Sequence, residues 1–534
     1  KENANMRRWI AGLVGTFLLA ETVCSAECQW IVVTAPAFRK AVQPLCEHRK
    51  AQGFHVVVIQ TSDLLDAGQI RTAEAGKLRD RVAALCRDFK GTSYVLLVGA
   101  VEAGQLREPE KLVVPALRGA VSRMKGQPSD NGYGCLDEDL MPTVAVGRFP
   151  ARTVAEAEAM AAKTLAFERD EEPGEWRRRL TILAGIPAYN PIVDRLVESQ
   201  AMARFDKLAP AWRGKALYQN PQSRFCVPDN QLHDRAIEYV QGGQAFTLYL
   251  GHSNAAGLWG SGARFLDRDD WAKLTIRRGT GVFATFGCNG CQLCGPDGEG
   301  YGVAAARNPS GPVAVIGSHG ICFAAMVQLA AEGTFHAGFA EQCPERLGDM
   351  WLGLKSGLAK GKIDAVTYSL LDAVDGDRDI PQQTQRREHL EMFLLLGDPA
   401  LRLPALPADV QLRAEGEIVA RNTIAIHVEL PERLATAKVL LTLERPPSSE
   451  PVELAPVPKK PGPERDRALA TNHERANRFV VVTKELSVGE RQFETKIQLP
   501  DELPWPRLIL RAYAATAKAE GIGVRAVPVV KSND

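Results

Sequence analysis

Two short apolar runs, each ending in small residues and then in one reactive side chain, constrain this sequence more than anything else in it. Residues 246–254 read FTLYLGHSN, and residues 285–294 read TFGCNGCQLC. A strand buried on both faces, as in a parallel sheet, is a continuous apolar run rather than an alternating one. Open α/β sheets carry their sites outside the carboxyl ends of such strands. Two neighbouring strands that end in His252 and Cys288 put an imidazole and a thiol on one edge. That is the spatial requirement for a cysteine nucleophile with a histidine base. Other readings compete. A histidine after a strand is commonly a loop residue, and a cysteine in apolar surroundings is commonly a small buried hydrophobe. Cys288, Cys291 and Cys294 also repeat the Cys-x-x-Cys spacing of metal, cluster or redox sites. A bacterial cluster run needs a fourth cysteine after three more residues, and position 298 is glycine.

The chain is 534 residues long, too long for one core, so about three domains are expected. Its 45% hydrophobic and 24% charged content is ordinary for a globular protein. A net charge of +1 argues against a nucleic-acid binder that works by bulk electrostatics. Near the start, Met6 opens the basic stretch MRRW, residues 10–20 are apolar, and Cys24-Ser25-Ala26 supplies small residues. Eleven apolar residues are too few to span a bilayer. Residues 1–26 therefore read as a leader and secretory signal peptide cut near Ala26, which predicts a secreted, periplasmic or cell-surface protein with no membrane span in the mature chain. Ten of the eleven cysteines survive that cut, and in an oxidising compartment most are expected to pair.

Further along, apolar runs alternate with helical patterns. Strands are expected at 31–34 (IVVT), 56–59 and 94–98 (YVLLV), and helices at 38–52 and 72–89. That alternation argues for a parallel sheet with right-handed crossovers. A loop region, 101–139, contains Asp130 and the Asp137-Glu138-Asp139 cluster. Such acids can hold a structural calcium or simply form a solvated turn. Thr153 with Glu156 three residues on is a capping box that opens a helix to Arg169. A second alternation follows, with strands at 180–184, 246–250, 281–286 and 312–317 and helices at 194–208, 234–241, 330–341 and 348–359. After residue 404 the pattern changes to short period-two strands separated by proline-rich breaks, with no helix. This predicts a β-sandwich of about 130 residues. Residues 456–475, rich in proline and charge, read as a mobile loop inside it.

Taken together, several segments resemble the gingipain-type cysteine peptidases, a family with a caspase-like fold. They are IVVT with GFHVVVI; YVLLVGA; DNGYGCLDEDLMPTVAVGRFPA; LGHS and FGCNG; GPVAVIGSHG; and LLLGDPALRLP, in that order. The resemblance covers roughly residues 28–404. It implies an α/β fold with a mostly parallel sheet flanked by helices in two subdomains, 27–169 and 170–404, followed by an Ig-like β-sandwich over 405–534. It implies a secreted cysteine endopeptidase acting on protein or peptide substrates through a thioester acyl-enzyme, with no cofactor required for catalysis. Carried over by residue, it makes Cys288 the nucleophile and His252 its partner in a dyad. The backbone N–H groups of Ser253 and Cys288 become the oxyanion hole. The family usually has glycine where Ser253 stands. It also has its next glycine one residue later than Gly290, so Cys291 is a rival nucleophile. Arginine-selecting members place an acid after the strand corresponding to 180–184. Asp194 stands there as a substrate-binding candidate for a basic P1 residue, or as an ordinary helix-start acid. Trp259 is a second candidate wall of that pocket, and His319, after a neighbouring strand, is a candidate lining residue of the cleft with no expected catalytic role. The competing function is a catalytically inactive surface or adhesion protein on the same scaffold.

Overall fold

The structure, a computed structural model, describes residues 28–530 except 138, 170–172, 186–193, 196–197, 200, 203–204, 207–211, 260–263, 277–279, 340–342, 376–378 and 405–406. The expected leader, 1–26, lies outside the described residues, as does much of the expected helix 194–208.

The first sheet is fully parallel. It is built from β1 (Cys28–Thr34), β2 (His55–Gln60), β3 (Thr92–Val98) and β4 (Ala145–Phe149), in the order β2-β1-β3-β4. Helices α1 (Gln43–Ala51), α2 (Gly76–Asp88) and α3 (Val154–Arg169) pack around it. The first helix begins five residues later than its apolar pattern suggests. Pro44 suits only a first turn, and Phe38 instead ends a short 3-10 turn, Pro36–Phe38. The capping box forms as the sequence predicts: Glu156 N donates to Thr153 Oγ1 and Thr153 N to Glu156 Oε2, both at 3.2 Å.

The second sheet contains β5 (Arg179–Ala184), β6 (Arg213–Tyr218), β7 (Gln244–Leu250), β8 (Thr280–Phe286), β9 (Ala314–Ser318) and β10 (Phe393–Leu396), in the order β10-β9-β8-β7-β5-β6. Only β10 runs antiparallel. Helices between these strands include α4 (Asp229–Gln241), α5 (Tyr301–Arg307), α6 (Ala324–Phe339), α7 (Leu347–Lys360) and α8 (Gln382–Met392). The two sheets meet where β4 lies along β10. There a Cβ on Gly147 would fall 2.1 Å from the carbonyl oxygen of Gly397, so only glycine lets the backbones approach this closely.

Buried charge pins the two α/β units together. Arg49, fully buried, donates to both oxygens of Glu168 on α3 at 2.8 Å and to Asp398 Oδ2 at 2.6 Å. Trp30 Nε1 donates to Asp398 Oδ1 at 3.0 Å. This gives the LGDPALRLP segment its role: Asp398 anchors the end of the second unit to α1 and β1. Burial raises the Glu168 carboxyl, but the charge and hydrogen bonds of Arg49 outweigh it and hold the group down at about 2. Arg49→Met would leave two facing carboxylates without their cation. It is expected to cost about 3–5 kcal/mol in urea unfolding, part of it recovered by adding Glu168→Gln.

Several expectations change. Asp130 belongs to no exposed acidic turn. It is buried and bidentate to Arg148, at 2.7 Å on each oxygen, and Arg148 also caps the carbonyls of Gly99 and Val114. After residue 405, two antiparallel sheets form the expected β-sandwich. One is β11 (Gln411–Glu415), β12 (Thr423–Glu429) and β15 (Gln492–Gln498), in the order β11-β12-β15. The other is β13 (Lys438–Glu444), β14 (Val480–Ser487), β16 (Arg507–Ala515) and β17 (Glu520–Pro528), in the order β14-β13-β16-β17. The stretch read as a mobile loop instead contains a helix, α9 (Pro463–Asn477). Its charged residues mask the buried set Ala468, Leu469, Asn472, His473 and Ala476, which repeats at helical spacing. This helix covers the open edge of the second sheet. Asn477 accepts from Ala216 N at 2.8 Å and donates to Ala216 O at 2.9 Å, satisfying both backbone groups of that residue on edge strand β6. The ten cysteines from Cys28 to Cys343 are thiols rather than the expected disulfide set. Six of them are buried one by one in the protein's cores, including Cys46, Cys86 and Cys226.

Candidate active site

The pairing of β7 with β8 builds the site. Their parallel register sets Leu250 against Phe286, so the next residues, Gly251-His252 and Gly287-Cys288, leave the sheet side by side. Both glycines are required by this approach. Gly251 has φ +148°, and a Cβ on it would meet Gly185 at 3.0 Å. A Cβ on Gly287 would lie 2.3 Å from Ser253 Oγ and 2.7 Å from the Gly251 carbonyl. The LGHS and FGC patterns are therefore steric conditions for bringing the two loops together.

Local hydrogen bonds fix each loop. After His252 the chain folds into a tight ribbon, Ser253–Asn254 against Gly257–Trp259. The carbonyl of His252 accepts from Trp259 N at 3.1 Å and from the Tyr249 hydroxyl at 2.5 Å. Burial raises the Tyr249 phenol well above its ordinary value, so it remains a donor. Ser253 Oγ donates to the Cys288 carbonyl at 2.7 Å and ties the histidine loop to the cysteine loop, a side-chain role additional to the backbone role expected of it. Beyond Cys288, Asn289 adopts the left-handed region at φ 56°, and its N–H donates to Gly320 O at 2.9 Å. Ser318 Oγ donates to Gly287 O at 2.7 Å, and Cys291 N to Ser318 O at 2.8 Å. The end of β9 thus holds the cysteine loop from its other side.

His252 is exposed and Cys288 half-buried, and both line a cavity of about 230 Å³. Its walls are mostly apolar, with Ile182, Met202, Val327 and Phe335 among them, and two carboxylates, Glu198 and Glu332, also line it. Glu198 accepts from Ser223 Oγ at 2.7 Å, and burial raises its carboxyl. Gln328, one turn before Glu332 on α6, donates to it at 3.0 Å.

The expected site residues divide. Cys288, His252 and Ser253 come together. Asp194 is buried, and Glu198 rather than Asp194 is among the described residues that line the cavity. Asp194 stays close enough to Tyr218, on the cavity wall, to raise its phenol after burial has done so. Trp259 is 39% exposed, its indole donates to Asn254 Oδ1 at 3.2 Å, and it is not among the residues that line the cavity. Cys291, the rival nucleophile expected from the sequence, does not line the cavity. It is fully buried against the positions of Gly302 and Gly317, and burial raises its thiol far above the ordinary range. Cys294 turns toward Glu102, and burial and that carboxylate push its thiol up to about 12. No group of three or more His, Cys, Asp or Glu among the described residues is arranged to hold a metal ion. His319 is buried and accepts from Leu293 N at 3.1 Å, a structural position. Sequence reasoning missed Glu198, Glu332 and Cys322. The first two sit on helices as ordinary acids, and nothing in the spacing of Cys322 marks it.

A parallel sheet with an imidazole and a thiol on adjacent strand ends is the arrangement of a caspase-like cysteine peptidase. Comparison with known proteins agrees. The profile of peptidase family C25 matches residues 25–404, and the chain belongs to that family of cysteine peptidases. No curated protein sequence matches it. Among solved structures, the chain is similar to the Arg-specific cysteine proteinase gingipain R, with a TM-score of 0.53, 15% identity, and 94% of this chain and 98% of that chain covered. It is also similar to the complex of the pro- and mature domains of RgpB from Porphyromonas gingivalis, with a TM-score of 0.52, 16% identity, and 94% and 100% covered. At these identities the match carries the fold.

Proposed function

We propose that this chain is a secreted cysteine endopeptidase in which Cys288 is the nucleophile and His252 its proton-transfer partner. The observation that carries the reading is the register of Leu250 against Phe286, with His252 and Cys288 two residues beyond on one rim of one cavity. His252 takes the thiol proton as Cys288 Sγ attacks the scissile carbonyl carbon, and returns it to the leaving amine. The N–H groups of Ser253 and Cys288 receive the developing oxyanion. Water, activated by the same histidine, then releases the thioester. The basic MRRW start and the apolar residues 10–20 support export.

For the P1 residue we propose a basic side chain. An apolar-walled cavity that carries carboxylates suits an aliphatic stem with a cationic tip, and a seated cation would offset the burial that raises the Glu198 carboxyl. The specificity of the Arg-specific structural relative supports the same class. The test is a P1-scanning fluorogenic peptide library, cleaved by purified protein under reducing conditions with and without iodoacetamide. Cleavage after Arg or Lys, removed as Cys288 is alkylated, is expected; no cleavage after any residue sinks the proposal. Glu198→Gln is expected to lower kcat/KM for Arg over norleucine by at least about ten-fold, or about 1.4 kcal/mol. An unchanged ratio returns the specificity to another group.

A further inference from the structure

The thiol beside the nucleophile belongs to neither Cys291 nor Cys294, the neighbours in sequence, but to Cys322. It lies in the loop after β9, which the fold lays across the cysteine loop. Its backbone N–H donates to Cys288 Sγ at 3.4 Å, and its own Sγ approaches the carbonyl of Gly287, the residue before Cys288, at 3.8 Å. Both thiols line the same cavity. The Cys322 loop is held in register: His319 N donates to Met392 O at 2.9 Å, and Phe323 N to His389 Nε2 at 3.1 Å. A hydrogen bond with the Cys288 side chain, and then burial, raise the Cys322 thiol well above its ordinary value. At rest Cys322 is therefore a protonated partner, and Cys288 is the sulfur open to the cavity.

The geometry points to a reversible redox modification site, in which Cys288 and Cys322 join in a disulfide when the protein meets a hydroperoxide. Its consequence for catalysis rests on the peptidase reading, but the bond does not. The Cys288 thiolate attacks one peroxide oxygen, the O–O bond breaks, and hydroxide leaves and is protonated to water. Cys288 is then a sulfenic acid. Cys322 Sγ attacks that sulfur, the S–O bond breaks, and the hydroxyl leaves as water with the Cys322 proton. Two thiols are oxidised by two electrons in all, and one hydrogen peroxide is reduced to two waters. Proximity compensates for the poor nucleophilicity of a protonated thiol. Because the disulfide intercepts the sulfenic acid, Cys288 is spared irreversible oxidation to the sulfinic acid. A dithiol reductant restores both thiols by exchange.

The test uses the full chain. Reduced protein is treated with equimolar hydrogen peroxide, alkylated with N-ethylmaleimide, digested, and its linked peptides mapped by mass spectrometry. A linked pair containing Cys288 and Cys322, two hydrogens lighter than the separate peptides and abolished by dithiothreitol, is expected. Linkage of Cys288 to Cys291 or Cys294, or Cys288 sulfinic acid with no linkage, overturns the inference. In Cys322→Ser, with no thiol to intercept the sulfenic acid, about three equivalents of peroxide are expected to drive Cys288 to the sulfinic acid, which consumes two peroxides per thiol and which dithiothreitol does not reverse. The wild-type map decides the matter even if that variant does not fold. It also needs no substrate, so a linked pair in a protein without peptidase activity would keep the site and remove the peptidase reading.

Discussion

Cys288→Ala is expected to lower kcat/KM by about 10⁴-fold or more on the best peptide of the library, with the fold unchanged. Covalent catalysis leaves no second route to the thioester, so what survives is the contribution of binding and of the oxyanion donors. His252→Ala is expected to fall nearly as far, and the double variant hardly further, because the two act as one unit. Cys291→Ala separates this assignment from its rival. Cys291 is sealed between Gly302 and Gly317, so its loss is expected to leave kcat/KM per folded molecule within about three-fold, with its cost read in stability as a small cavity. Initial rates normalised to folded protein decide it. A Cys291→Ala variant as inactive as Cys288→Ala, both folded, would reverse the assignment.

The juxtaposition of His252 and Cys288 was legible because both follow long apolar runs, and a buried parallel strand announces its own carboxyl end. The glycines next to them were legible for the same steric reason. The carboxylate that lines the cavity was not. Asp194 and Glu198 stand four residues apart, and which of them lines the cavity depends on where the chain leaves β5, which no local pattern fixes. The placement of Trp259 was not legible for a related reason: the two-residue turn after Asn254 brings its indole back to Asn254. Cys322 was invisible because its relation to Cys288 spans 34 residues and a strand. The helix over Pro463–Asn477 was hidden by composition, since its charged residues surround a buried set in which Ala476 packs by Ala216 of strand β6 and His473 meets Tyr239 of α4. Asp398 was recognisable as part of a motif, but the cation that gives it a role, Arg49, lies 349 residues away.

Stability is expected to fall steeply as pH drops from 6.5 to 4, because three buried histidines must be neutral in the folded protein. His473 Nδ1 donates to Phe225 O at 2.8 Å, so its Nε2 accepts from the Tyr239 hydroxyl at 2.5 Å. His389 donates from Nδ1 to Gln385 O at 2.7 Å and accepts at Nε2 from Phe323 N. His319 accepts at Nδ1 from Leu293 N. In each ring one nitrogen receives an N–H or O–H, and protonation would turn that acceptor into a donor facing a donor. Burial, the leading cause in all three, lowers each from its ordinary 6.5 to about 4. The unfolded chain therefore binds protons that the folded chain refuses. The contribution is fully present above 6.5 and is lost as pH falls through about 4. At about 1.4 kcal/mol per pH unit it amounts to about 3 kcal/mol for each ring. Three rings together rival the whole net stability of an ordinary domain. The seats differ: His473 joins the sandwich's helix to α4, His389 holds the Cys322 loop, and His319 supports the segment after Cys291. Urea unfolding at a series of pH values should show the slope, and replacing any one of the three by glutamine should flatten it by about a third while lowering stability at pH 7.5. Because His389 holds Phe323 N, acid should also loosen the contact between Cys322 and Cys288 before the sheet itself unfolds, seen as faster alkylation of Cys322 near pH 4.5 than the global unfolding equilibrium allows. A flat stability profile between pH 7.5 and 4.5 would mean that these rings are charged, or reach water, in the folded protein.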